Sequence, residues 1–179
     1  MPDRLMNRVR SQLVLVDYQS RLMPAIHEAE TVVKNGRRLG EAARLLAVPI
    51  LVTEQNSKGL GHTVPELGIE GYPVIEKQTF GSCATPAFLE AIDNEHDLIV
   101  AGCEAQVCVL QTVLGLIERN RRVYVVRDAT GSRQMESKEA ALARMQRAGA
   151  EIVTTEMVVF EWLRTSDHPT FRSIVNLIK

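Results

Sequence analysis

Short, unbroken runs of Val, Ile and Leu, each followed by a stretch with helical periodicity, constrain this chain more than any other feature. QLVLVD at 12–17, ILVT at 50–53, PVIEK at 73–77, DLIVAG at 97–102, RVYVVRD at 122–128 and EIVTTE at 151–156 all have strand length. Runs this apolar suit strands covered on both faces. Between them, residues 28–47 carry Val32, Val33, Leu39, Ala43, Leu46 and Ala47 on roughly one helical face. Residues 85–94 read as a helix, as do 105–119, where Val109, Leu110, Val113, Leu114 and Ile117 are apolar. A further helix is expected over 136–148, capped by Ser132 or Ser137, and two short ones near 156–164 and 168–178. Residues 55–73 hold four glycines and two prolines without a period and read as a long loop. Loops of that length in compact domains are often functional or interfacial. Strands alternating with helices predict an α/β fold: a three-layer, doubly wound sandwich with a six-stranded, mostly parallel sheet. No repeat, linker or low-complexity tract divides it, so residues 1–179 are read as one domain.

Composition narrows the function classes. The net charge is -1 and no long run of one sign occurs, which speaks against nucleic-acid binding. Arg119, Arg121 and Arg122 gather at one point, but beside an apolar run they read as a solvated helix end rather than a phosphate site. The start, MPDRLMNRVR, lacks the apolar core of a signal peptide, and LVLV at 13–16 is far too short to span a bilayer. Three cysteines suggest no disulfide framework, so a reducing, cytoplasmic setting is expected.

In doubly wound sheets, ligands sit beyond the carboxyl ends of the strands, where strand order reverses. Asp17 ends the first run, Lys77 ends the third, and Cys108 follows the fourth across the turn GCEAQ at 102–106. All three fall on one sheet edge, and Asp17 meets Cys108 if the first and fourth strands are neighbours. Cys108 is then expected in the first turn of a helix, whose partial positive charge, with Lys77, favours a thiolate. Asp17 is placed to take the thiol proton, which completes a nucleophile, a base and a cation. Taken singly, a cysteine on an apolar helix is usually a core residue, and a strand-end Asp or Lys is usually a turn or solvated residue. It is the three ends together that favour chemistry. His27, His62, His96 and His168 lie away from these ends, against a Cys–His enzyme. Cys83 and Cys103 read as structural, and Cys103 with Cys108 does not have C-x-x-C spacing.

At these residues the sequence resembles the isochorismatase-like cysteine hydrolases, a superfamily that includes nicotinamidases and carbamoylsarcosine amidases. The matching segments are LVLVDYQ at 13–19, EKQTFGS at 76–82 and AGCEAQVCVLQT at 101–112. TEQNSKGLGHTVPEL at 53–67 and ALARMQRAGAEIVTTE at 141–156 look closest to the isochorismatase domain-containing proteins. The resemblance implies a catalytic triad of Asp17, Lys77 and Cys108 and a cis peptide between Cys103 and Glu104. It further implies an oxyanion hole from the backbone amides of Glu104 and Cys108, and a homo-oligomer. Nicotinamidases of this fold bind a metal through an Asp-x-His pair and a further His. Here Thr53, Glu54 and Gln55 occupy that stretch and His62 stands alone, so no metal and no other cofactor is expected. Isochorismatase itself lacks the cysteine nucleophile, so Cys108 argues against vinyl-ether hydrolysis.

The resulting expectation is a metal-independent cysteine hydrolase. It would cleave an amide-type C–N bond of a small molecule through a thioester on Cys108. Gln19, Tyr18, Phe80 and the 55–73 loop are the expected substrate contacts. Two other readings share the scaffold: a non-catalytic binding or assembly protein, and a thiol sensor. The apolar C-terminal helix (Phe171, Ile174, Val175, Leu177, Ile178) is expected to pack within its own domain rather than against a partner.

Overall fold

A computed structural model describes residues 4–179 of the chain. In chain order it comprises β1 (Ser11–Val16), α1 (Ala29–Leu45), β2 (Ile50–Gln55), α2 (Ser57–Leu60), β3 (Val74–Lys77), α3 (Pro86–Ala91) and β4 (Asp97–Cys103). These are followed by α4 (Leu110–Ile117), β5 (Val123–Gly131), α5 (Met135–Ala148), β6 (Glu151–Val153), α6 (Thr155–Leu163) and α7 (Phe171–Ile178). The six strands form one sheet in the order β3-β2-β1-β4-β5-β6, and every pairing is parallel. The expected α/β class and six-stranded sheet are therefore present. Strand order reverses between β1 and β4, which puts the switch point between Asp17 and the turn before Cys108.

Both faces of the sheet are covered, and β1 shows why its run is continuous. Leu13 and Leu15 point into one apolar cluster with Val32 and Leu39 of α1 and Trp162 of α6. Val14 and Val16 point into the other, with Val113 and Leu116 of α4 and Leu142 and Met145 of α5. Every residue of β1 is buried. Each such aliphatic side chain contributes about 1.5–3 kcal/mol on burial, which selects apolar residues at odd and even positions alike. Helix α7 sinks Ile174 into the first cluster and lies on α1 and α6, so it packs within the domain.

Local departures from the sequence reading have physical causes. The 55–73 loop contains α2 and a 3-10 turn, Pro65–Leu67. Strand β6 stops at Val153 because the Thr154 side chain accepts from the Met157 amide and starts α6. The residue before α5 is Gln134, without a side-chain cap. The expected cap Ser132 instead donates its hydroxyl to Gln106 Oε1 at 2.7 Å, and Ser137 lies inside the helix.

Candidate functional site

Asp17 follows β1 in the left-handed backbone region, with φ 54°. Its amide donates to the Thr53 carbonyl and its own carbonyl accepts from Gln19, a tight reversal that turns the carboxylate over the sheet edge. Lys77 closes β3, two strands away, a gap of about 10 Å at ordinary strand spacing, so only a long side chain bridges it. The Lys77 ammonium donates to Asp17 Oδ2 at 2.8 Å, to the Phe80 carbonyl at 2.9 Å and to the Thr79 carbonyl at 3.2 Å. All three N–H groups are thus engaged. Between the two, Thr53 of β2 donates its hydroxyl to Asp17 Oδ1 at 2.7 Å. Both members of the Asp17–Lys77 ion pair are fully shielded from solvent.

The chain reaches Cys108 through a constrained turn. Gly102 has φ 141°, and a Cβ there would lie 2.0 Å from the Val16 carbonyl oxygen. No other residue type permits this approach of β4 to the end of β1. The peptide between Cys103 and Glu104 is cis. Residues Ala105–Val109 then form a single π-helical turn before α4, with the Val109 amide on the Glu104 carbonyl at 3.2 Å. Cys108 therefore sits in a π turn, not in the first turn of an α-helix as expected. Only 7% of it is exposed, and its thiol lies within range of the Asp17 and Lys77 charges.

The electrostatics differ from the expected thiolate. Burial pushes the Cys108 thiol up to about 12; the neighbouring Asp17 charge adds to this, and Lys77 only partly opposes it. An ammonium already neutralised by a carboxylate is a poor counter-charge for a second anion. At neutral pH Cys108 therefore rests as a thiol. Cys103, wholly buried, is also pushed up to about 12 by desolvation, and Cys83 is raised by the same cause.

Several residues lie differently from their sequence assignment. Tyr18 is completely enclosed; its ring packs against Gly36 and its hydroxyl donates to the Ala129 carbonyl. Its aromatic body fills the first core cluster, which removes it from the substrate-contact set. Gln19 is also enclosed. Its amide accepts from Gln55 N and donates to the Gln55 and Gly61 carbonyls, so it fastens the 56–63 segment to the end of β2. Phe80 is half exposed beside the carbonyl that receives Lys77, and its ring remains available.

Three features were not read from the sequence. Thr53, noted only for failing a metal pattern, orients the Asp17 carboxylate. Glu104 Oε1 accepts from the Arg133 side chain at 2.9 Å, the Arg133 amide at 3.2 Å and Gln106 Nε2 at 3.1 Å. With Ser132 on Gln106, these bonds tie the turn after β4 to the end of β5. Glu54 accepts from the Thr63 amide and hydroxyl and lies 2.9 Å from His62 Nδ1. Burial opposes its ionisation, but those donors outweigh burial and hold it below the usual carboxylate range. Among the described residues no group of three or more His, Cys, Asp or Glu side chains is arranged to hold a metal ion. An open groove of about 540 Å³ beside α1, between Met23, Val33 and Val64, touches none of Asp17, Lys77 and Cys108. No helix among the described residues is long and apolar enough to cross a membrane.

Against this geometry stand the comparisons with known proteins. The chain is 40% identical over 172 residues to mouse isochorismatase domain-containing protein 2A, covering 94% of this chain and 82% of that protein. Its fold superposes on a Caenorhabditis elegans structure described as MAR1 ribonuclease with a TM-score of 0.90. That pair shares 38% identity and covers 97% of this chain and 92% of that one. The Escherichia coli YcaC gene product, described as an octameric hydrolase of unknown specificity, superposes with a TM-score of 0.87 at 27% identity. Coverage there is 98% of this chain and 97% of that one. Residues 11–157, which run from the first residue of β1 into α6 and include Asp17, Lys77 and Cys108, match the isochorismatase domain model, and the chain belongs to that family of hydrolase scaffolds.

Proposed function

We propose that this chain is a metal-independent cysteine hydrolase acting on an amide-type C–N bond of a small molecule, with Cys108 as nucleophile. The observation that carries the reading is the solvent-shielded Asp17 carboxylate, held by the Lys77 ammonium at 2.8 Å and the Thr53 hydroxyl at 2.7 Å, with the Cys108 thiol within range of its charge. A carboxylate close enough to the thiol to oppose its ionisation is placed to accept the proton at the moment of attack, which a raised thiol pKa demands. As sulfur bonds to the carbonyl carbon, its proton passes to Asp17. The tetrahedral oxyanion faces the backbone amides of Glu104 and Cys108. Asp17 then protonates the nitrogen as the C–N bond breaks, leaving a thioester. Water, losing its proton to Asp17, attacks that thioester; the carboxylic acid departs and the thiol recovers its proton. Lys77 holds Asp17 in place through their 2.8 Å ion pair.

The same scaffold in an octameric relative supports a homo-oligomeric assembly for this chain, and a net charge of -1 supports a small-molecule substrate over nucleic acid. The test is turnover of an amide panel, with an RNA included because of the name carried by the nematode relative, and mass-spectrometric trapping of an adduct on Cys108. Amide turnover with an acyl adduct on Cys108, lost in Cys108→Ala and Asp17→Asn, is the expected result. Turnover that survives Cys108→Ala would refute it.

A further inference from the structure

We infer that the groove beside α1 is a binding site for an elongated amphiphile, a small molecule with an apolar body and one carboxylate end. The site is separate from the proposed chemistry and does not depend on it. The groove measures about 540 Å³, within the range of ligand-binding clefts. A second hollow of about 320 Å³ lies between α1 and α7. Lys34 and Arg37 line both, so the two adjoin. From Ala29 to Glu41 they follow α1 for about 18 Å at the helical rise.

The two ends differ in chemistry. Met23, Pro24, Val33 and Val64 give the first an apolar lining, and its acidic side chains are Glu30 and Glu66. Val32 and Leu39 of α1 sink into the core, whereas Val33 stays half-buried and faces the groove. The second end is basic: Lys34, Arg37, Arg38 and Lys179 meet there, with Glu41 the acidic side chain among the described residues that line it. Arg37 gives its Nε to Glu41 at 2.8 Å. Arg38 is held by Asn35 Oδ1 at 3.2 Å and by the Ile178 carbonyl at 3.0 Å, neither of them charged. Asn35 is buried and donates in turn to the Asp128 carbonyl at 2.9 Å, so that guanidinium is fixed in place without a counter-charge. The Lys34 ammonium is exposed and has no hydrogen bond or ion pair, not even with Glu30 one turn before it. Lys179 closes the sequence, and its ammonium is offset by its own carboxylate. Lys34, Arg37 and Arg38 against Glu41 still leave two positive charges uncompensated. An apolar trough that runs into uncompensated cations is complementary to an amphiphilic anion: burial of the body supplies affinity, and the charge fixes its direction. A polyanion would find no partner along the apolar end and would meet Glu30 and Glu66.

The experiment is calorimetric titration of the full chain with hexanoate, octanoate, decanoate and decanol, each below micelle formation. Decanoate is expected to bind once per chain. Affinity should rise by about twofold or more for each added methylene, against about fourfold for one wholly buried. Lys34→Gln and Arg38→Gln should each weaken decanoate by about threefold, the size of an exposed ion pair, and leave decanol unchanged. Decanol should bind about tenfold more weakly than decanoate, the sum of two such pairs. Lys34 is exposed, so its variant keeps the fold even where Arg38→Gln does not. The groove touches none of Asp17, Lys77 and Cys108, so Cys108→Ala should bind decanoate as the parent does. Absence of decanoate binding overturns the site. Equal affinity for decanoate and decanol overturns the anionic end, and affinity independent of chain length overturns the apolar body. Decanoate binding that is unchanged in Lys34→Gln and Arg38→Gln but lost in Cys108→Ala places the ligand at the catalytic site and overturns the inference while leaving the nucleophile intact. Sedimentation in which Lys34→Glu splits an oligomer that decanoate leaves whole assigns the groove to a second copy of the chain and overturns it likewise.

Discussion

Replacing Asp17 by Asn keeps the shape of the side chain and removes its charge. The amide oxygen can still accept from Lys77, and the amide nitrogen can donate to the Thr53 hydroxyl, so the hydrogen bonds survive with one of them reversed. What is lost is the attraction between opposite charges at 2.8 Å, both wholly out of water. That attraction is about 6 kcal/mol at an effective dielectric of roughly 20. Part of it only offsets the cost of desolvating the two ions. Leaving the Lys77 ammonium buried without a counter-charge should cost about 3–5 kcal/mol. Lys77→Met exposes the opposite fault, a buried carboxylate left with only the Thr53 hydroxyl on its side-chain oxygens, and should cost a similar amount. In the double variant neither charge remains, and the loss should be far smaller than the sum, with a coupling energy of at least about 2 kcal/mol. Guanidinium unfolding of the four proteins, followed by fluorescence of Trp162 and by circular dichroism to check two-state behaviour, measures the cycle. Additivity within about 0.5 kcal/mol would refute the buried ion pair. The same cycle separates stability from chemistry: the double variant regains stability yet should remain without amide turnover, because the proposed mechanism assigns the proton transfers to Asp17.

Thr53→Val removes the donor to Asp17 Oδ1 and should cost about 1.5–3 kcal/mol in unfolding; because it acts through Asp17, it should lower kcat more than it raises KM. The Cys108 thiol sits at about 12 in the fold against 9.0 unperturbed. Below pH 9 both folded and unfolded chains hold the proton; above it the unfolded chain loses the proton first, so stability falls as pH rises toward 12. Cys108→Ala should flatten that fall, by on the order of 2 kcal/mol near pH ~11 relative to pH ~8. Parallel stability curves for parent and variant across that range would contradict the raised thiol. Gly102→Ala places a Cβ 2.0 Å from the Val16 carbonyl at φ 141°. It should destabilise by more than about 3 kcal/mol or abolish soluble expression; near-parental stability would show that β1 and β4 need not approach so closely.

How much of this was legible beforehand follows from range. Strand and helix identity are local: the unbroken runs at 12–17 and 97–102 can only satisfy burial on two faces, so the central strands, the parallel sheet and the edge carrying Asp17, Lys77 and Cys108 are consequences of pattern. Boundaries were less legible because caps compete for them. Thr154 ends β6 by starting α6, and Ser132 forgoes its expected cap for Gln106, a partner 26 residues away. Side-chain roles were least legible. Nothing in the order of residues tells that Tyr18 turns into the core toward Ala129, 111 positions on, or that Thr53 rather than a histidine supports the carboxylate.

Sequence alone thus determined the α/β class, the order of strands and helices, and which three chemically capable side chains end on one edge, because periodicity and residue type are written along the chain. Tertiary structure alone decided that Lys77 gives all its donors to Asp17 and two carbonyls, that the π turn rather than an α-helix carries Cys108, and that burial raises the Cys108 thiol instead of lowering it. Those outcomes depend on burial and on distances between charges, and both exist only once segments far apart in the chain have been brought together and water has been expelled from between them.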